Sequence, residues 1–268
     1  MQIVICNSAE AVAEQACEWV KAMVNQKPNA VLGLATGSTP IQLYQRLVAE
    51  YTKQALSFNK VTTFNLDEYH QIAPSNPQSY RSFMNEHLFD KVDIDSNKTH
   101  LPTCNASQNP RAQGLAYEQA IKQSGGIDLQ ILGIGANGHI GFNEPSSSLS
   151  SRTRIKTLTK QTLKDNSRLF KSDETQPDKA MTMGIATIMD ARYVLLMATG
   201  KNKAQAVKSM VTGPVSAHCP ASILQMHENA VVIIDEEAAS ELSEQEYFRW
   251  ADSQNRLLNQ EFGYFHNY

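Results

Sequence analysis

Six short runs with strand character recur along the chain, and most give way to a segment with helical spacing. That alternation limits the fold more than any other feature. The runs lie at residues 3–5, 30–34, 61–69, 127–132, 193–198 and 230–234. Most are nearly continuous in Val, Ile, Leu and Ala, the pattern of strands covered on both faces. Between them, Val12, Ala16, Val20 and Met23 share one helical face, and Ile41, Leu43, Tyr44 and Leu47 share another. Residues 79–89 and 112–123 also read as helices, and a polar helical tail runs from Glu241. Asn7 with Glu10 fits a capping box at the first helix. Strand–helix alternation implies an α/β fold, a doubly wound, mostly parallel sheet with helices on both faces, Rossmann-like. No repeat, low-complexity linker or composition break divides the 268 residues, so one domain over 1–268 is expected.

In such a sheet, ligands sit beyond the carboxyl ends of the strands. The richest strand end is the stretch IDLQILGIGANGHIGFNEP at residues 127–145. A buried strand there runs into a loop with Gly133, Gly135, Gly138 and Gly141. Asn137, His139, Asn143 and Glu144 supply its polar chemistry. The first three glycines match the G-x-G-x-x-G dinucleotide pattern. That pattern needs a helix opening directly after it and an acidic residue about 20 positions on. Pro145 opposes the helix, and the chain downstream is basic at Arg152, Arg154 and Lys156, so NAD binding is not expected.

Other strand ends carry chemistry too. LATGSTP places Thr36, Gly37, Ser38 and Thr39 between a strand and a helix, where free backbone N–H groups and the helix dipole can hold an anion. No Gly-Lys-Ser/Thr follows, so this is not a Walker A loop; a plain helix start is the other reading. VTTFNLDEY ends in Asp67 and Glu68. Lys201 and Lys203 fall at a helix start, where the dipole disfavours cations and a bound anion would explain them. Arg152, Arg154 and Lys156 alternate and share one face if the segment is a strand. That face serves either as cationic edge protection or as an anion site.

Composition excludes several classes. The formal net charge is −3, unsuited to general binding of nucleic acid or anionic membranes. The 4 cysteines have no C-x-x-C spacing and read as free thiols of a reducing compartment. No signal peptide or spanning segment is seen, and a cytoplasmic protein is expected. His139 and Glu144 lack H-E-x-x-H spacing, which argues against a zinc hydrolase.

Taken in order, LGLATGSTP, FNLDEY, GIGANGHIGFNEP, SSLSSRTRIKTLT, NSR (166–168) and GKNKA (200–204) make the chain resemble the glucosamine-6-phosphate deaminase (isomerase) family along most of its length. The resemblance implies conversion of glucosamine 6-phosphate and water to fructose 6-phosphate and ammonia, a hydrolytic deamination with aldose–ketose isomerisation. It implies no metal or organic cofactor. Asp67 matches the base that moves a proton from carbon 2 to carbon 1. His139 matches the ring-opening group, and Asn137 and Glu144 match the residues that orient it. Some members carry aspartate where this chain has Asn137. The phosphate falls to Thr36, Gly37, Ser38 and Thr39 with Arg168 and Lys203. Ser147, Arg154, Lys156 and Tyr247 match an activator site for N-acetylglucosamine 6-phosphate at subunit contacts, which implies a homo-oligomer, with a hexamer favoured. The nearest alternative is a 6-phosphogluconolactonase-like hydrolase. A non-catalytic sugar-phosphate regulator would need a DNA-binding module, for which the pattern leaves no room.

Overall fold

The computed structural model describes residues 1–104, 107–167 and 176–262. The first half contains β1 (Gln2–Cys6), α1 (Ala9–Gln26), β2 (Val31–Leu34), α2 (Ile41–Thr52), β3 (Thr62–Asn65), β4 (Asp67–Tyr69), α3 (Tyr80–His87), β5 (Thr99–His100) and α4 (Pro110–Gln123). The second contains β6 (Leu129–Gly133), β7 (Arg154–Thr157), α5 (Lys160–Ser167), β8 (Lys179–Thr182), α6 (Ile185–Met189), β9 (Tyr193–Ala198), α7 (Ala204–Val211), β10 (Ala230–Asp235) and α8 (Gln245–Phe262).

Seven strands form one sheet in the order β1-β10-β9-β6-β2-β3-β5, and every neighbouring pair is parallel. From β2 the chain winds outward through β3 to β5. It then returns to the other side of β2 with β6 and winds the opposite way through β9 to β10. The winding reverses between β2 and β6, and a crevice opens there at the carboxyl ends of the strands. The two strands are joined by the register pairs Leu32↔Leu129 and Gly33↔Gln130. Gly33 permits this approach, because the Gln130 side chain lies where a Cβ on residue 33 would be.

The strands are apolar because they are covered on both faces. Leu32, Leu34, Leu129, Ile131 and Leu132 are fully buried, each contributing roughly 1.5–3 kcal/mol on transfer from water. At the opposite end of the sheet Asp128 binds three elements. Its carboxylate accepts from Val31 N–H at 2.8 Å, from Lys27 at 2.8 Å and from Arg192 at 2.8 Å. A buried carboxylate is tolerated there because two cations and an amide satisfy it.

Three features differ from the sequence reading. The run 61–69 is not one strand. It turns at Leu66, whose N–H donates to Leu34 O in the large sheet while its carbonyl accepts from Met183 N–H. Beyond this pivot β4 joins a separate three-stranded antiparallel sheet, β4-β8-β7. The cap of α1 is Ser8 rather than Asn7, its hydroxyl accepting from Ala11 N–H at 3.2 Å. Arg152 precedes β7 and pairs with Asp190 and Glu118, so only Arg154 and Lys156 alternate within the strand.

Candidate active site

The turn after β2, the loop after β6 and the pivot after β3 converge above the switch point. A Cβ on Gly133 would stand 4.0 Å from Thr39 Oγ1, and one on Gly141 would stand 3.3 Å from Asp67 Oδ2. The 36–39 turn and Asp67 therefore flank the glycine-rich loop on two sides. Gly37 adopts φ +101°, and a Cβ there would meet nothing within 4 Å. The glycine is demanded by the backbone, and the space above it is open to a ligand.

The β6 loop is built for one polar cluster. His139 folds back over Gly135 so closely that a Cβ on that glycine would lie 2.3 Å from the ring. His139 Nδ1 stands 3.2 Å from Glu144 Oε2, and Asn137 Nδ2 donates to the same oxygen at 2.8 Å. Asn137 Oδ1 accepts from the His139 backbone N–H at 3.2 Å. The other carboxylate oxygen of Glu144 accepts from the hydroxyls of Thr162 and Thr159. Burial pushes the Glu144 carboxyl up, but His139, Thr162 and Asn137 outweigh it and hold the pKa at about 2. An ionised Glu144 can only accept, so His139 Nδ1 carries the proton and Nε2 is left to exchange one with a ligand.

Asp67 has the reverse environment. Burial first, then the charge of Glu68, raise its pKa to about 8, while a hydrogen bond from Thr182 opposes the rise. A carboxyl group tuned near working pH suits a general base. Glu68 serves the fold instead. It accepts from Tyr69, Tyr80 and Arg81 N–H at 2.8, 3.0 and 2.9 Å, holding the amino end of α3.

Lys203 sits in a one-turn 3₁₀ segment, Lys201–Lys203, between β9 and α7, at the same end of the sheet. Asp235 and Glu237 brace this turn through Gly200 and Lys201 N–H at 3.0 and 3.2 Å. Arg168 lies outside the described residues.

The chain from residue 7 to residue 233 matches the family described as glucosamine-6-phosphate isomerases/6-phosphogluconolactonase. The chain belongs to this family. Its similarity to deaminase members runs end to end. It is 69% identical to the glucosamine-6-phosphate deaminase of Colwellia psychrerythraea, with 100% of each chain covered. It is 63% identical to that of Pseudoalteromonas translucida, with 99% of each covered. Among solved structures, a monomeric glucosamine-6-phosphate deaminase superposes with a TM-score of 0.86 at 41% identity, covering 90% of this chain and 100% of that one. A 6-phosphogluconolactonase from Trypanosoma cruzi reaches 0.72 at 19% identity, covering 90% and 97%; that likeness is of fold alone.

Within this family fold, Asp67, Asn137, His139, Glu144, the 36–39 turn and Lys203 gather at one end of the sheet. The glycine pattern opens no helix, since the element after β6 is β7. Among the described residues no cluster of three or more His, Cys, Asp or Glu could hold a metal ion. Ser147 is buried near the loop, and its hydroxyl has no partner among the described residues. Arg154 donates to Asn143 Oδ1 at 2.9 Å, and Lys156 follows it on β7. Tyr247 is not brought to these three. It lies 58% exposed on α8, which packs against β1 at the far edge of the large sheet.

The contacts of four residues of the site escape sequence reading. They are the grip of Thr159 and Thr162 on Glu144, the bond of Thr182 to Asp67, and the Asn143 amide, which donates to Ile140 O and Met183 O at 2.9 and 2.8 Å. Thr159 had a signal, a hydroxyl residue just before a helix. The bonds of Thr162 to Glu144, of Thr182 to Asp67 and of the Asn143 amide to Met183 span long sequence separations and had none, whereas the Asn143–Ile140 bond is local.

Proposed function

We infer that the chain is a glucosamine-6-phosphate deaminase, releasing fructose 6-phosphate and ammonia from glucosamine 6-phosphate and water. The observation that carries this is full-length identity of 69% to a deaminase, in a chain whose site holds a buried carboxyl opposite a histidine–glutamate pair. The lactonase alternative has support only at the level of fold.

In this reading His139 Nε2 exchanges protons between the sugar's ring oxygen and its anomeric hydroxyl, opening the ring. Glu144 fixes the tautomer that allows this. Asp67 removes the proton from carbon 2 and returns it to carbon 1. The resulting imine at carbon 2 adds water and loses ammonia. "Hydrolase" describes only that last step; the carbon skeleton undergoes an isomerisation. The N–H groups of Thr36, Gly37, Ser38 and Thr39 take the phosphate, with Lys203 and Arg168 as its cations. Arg suits a forked contact and Lys a point charge. Incubation with glucosamine 6-phosphate should yield fructose 6-phosphate and ammonia in equal amounts. Hydrolysis of 6-phosphogluconolactone without ammonia release would overturn the reading.

An activator site for N-acetylglucosamine 6-phosphate at Ser147, Arg154 and Lys156 is part of the same proposal. Support comes from the buried Ser147 hydroxyl, which has no partner among the described residues, and from Arg154, which touches the loop of His139 through Asn143. Tyr247 joins this site only if another subunit supplies it, which goes with the proposed homo-oligomer. The exposed Tyr247, Trp250, Leu257, Leu258 and Phe262 of α8 favour such an assembly. A cytoplasmic location is supported by four free cysteines; no helix among the described residues is long and apolar enough to cross a membrane.

A further inference from the structure

Thr182 is fully buried at the end of β8, and it faces two strands at once. In the small sheet it pairs with Asp67 on β4 and with Arg154 on β7. Its hydroxyl accepts from Phe142 N–H at 3.1 Å. The Asp67 carboxylate lies beside this hydroxyl across the β4–β8 pair, and the hydroxyl favours its ionised form. Met183 O stands 3.4 Å from the same hydroxyl and is the other acceptor for its hydrogen. A Cβ built on Gly141 would lie 3.0 Å from Thr182 Oγ1 and 3.3 Å from Asp67 Oδ2. Glycine at 141 thus keeps the loop against both oxygens at φ +55°.

We propose that Thr182 is a positioning residue for the proton transfer: its single hydroxyl ties the Asp67 carboxylate to the loop that carries His139 and Glu144. The inference rests on the reading of Asp67 as the base. A threonine hydroxyl can accept one hydrogen bond and donate another. Here the acceptor side takes the loop amide and the donor side takes the carboxylate. The distance between the base and the histidine loop is then set by one oxygen atom. A carboxylate that must reach carbon 1 and carbon 2 in turn gains from such fixation, because small misplacements are costly to reaction rate.

The same bond tunes the base. Hydrogen bonding to the ionised form favours that form, and Thr182 is the group that opposes the burial of Asp67. The other groups facing Asp67 are Glu68 on its own strand, Tyr80 on α3 and Tyr117 on α4. None of them is a cation. Arg154, next in register across Thr182, directs its guanidinium to Asn143 and Arg152 O.

The test compares Thr182→Val, which keeps the shape and loses the hydroxyl, with Thr182→Ser, which keeps the hydroxyl. Asp67→Asn is measured in parallel, all with glucosamine 6-phosphate across the pH range. Loss of the bond should move the acid limb of kcat/KM upward by about one pH unit, a roughly tenfold loss on that limb. KM above the limb should stay within about twofold. Thr182→Ser should keep the wild-type limb. A Thr182→Val limb at the wild-type position overturns the proposal, even if that variant melts earlier. So does a serine variant that fails like valine, since the methyl group would then be what matters. If valine prevents folding, Thr182→Ala is read in its place on the same criteria. Wild-type turnover in Asp67→Asn overturns instead the assignment of the base, and with it the reason for the inference.

Discussion

Asp67 and Glu144 are the same chemical group held in opposite states, and their neighbours explain why. Asp67 is buried beside another carboxylate with one hydroxyl in its favour, whereas Glu144 collects His139, Asn137 and two threonines. Each should leave a signature in stability as well as in rate. The folded pKa of Asp67, about 8, lies above the ordinary 3.8. Between those values the unfolded chain releases a proton that the folded chain keeps. Stability attached to this group is therefore present at acid pH and lost as pH rises toward 8. Asp67→Asn should abolish that loss, so its thermal midpoint should rise relative to wild type between those pH values. Its turnover should fall about 10²- to 10⁴-fold, the usual worth of a general base. An Asp67→Asn midpoint that tracks wild type at every pH would show that the carboxyl is not strained. Glu144 has the opposite sign. Its stabilisation is present above 4.5 and lost as pH falls through about 2. Glu144→Gln should be less stable than wild type near neutrality, and the gap should close in acid, as read by chemical denaturation at the two pH values.

At the scale of elements, the loop after β6 shows what a sequence can and cannot say. Its glycines, His139 and Glu144 announce a site at a strand end, because all lie within a few residues of one another. What each glycine does was hidden. Gly135 exists to let the imidazole fold back, and Gly138, at φ +83°, lies where a Cβ would stand 2.6 Å from Cys219 Sγ. The second contact fixes the loop against a segment far along the chain, and no local pattern encodes it. The pivot at Leu66 was hidden for the same reason: VTTFNLDEY is locally one strand, and only pairing with β8 divides it. Gly135→Ala should leave the circular dichroism spectrum and melting cooperativity intact but displace His139, lowering turnover by at least about tenfold, as misplacement of a reacting group does. Full activity in that variant would mean that the ring works from another position.

For the molecule as a whole, strand–helix alternation was enough to foresee the parallel sheet, since strands covered on both faces must be apolar throughout. The small second sheet was not legible, because β4, β7 and β8 are short, half-polar and distant in sequence. The proposed assembly belongs to this scale. Trp250→Glu together with Leu258→Glu places charges on the exposed face of α8, and sedimentation should report a smaller species than wild type. A wild-type particle that is already monomeric would remove the proposed role of Tyr247 at a subunit contact. Lys156→Ala should abolish activation by N-acetylglucosamine 6-phosphate while turnover at saturating substrate survives; an unchanged activation curve would leave β7 as a protected edge. The order of the large sheet also sets a timetable. β1 finds its partner far along the chain in β10, where Gln2 lies beside Val231. At ordinary rates of synthesis of about 5–20 residues per second, β1 waits roughly 10–50 s before its partner leaves the ribosome. Throughout that interval Ile3, Val4 and Ile5 have no native neighbour in the sheet, and they are open to a chaperone on the nascent chain.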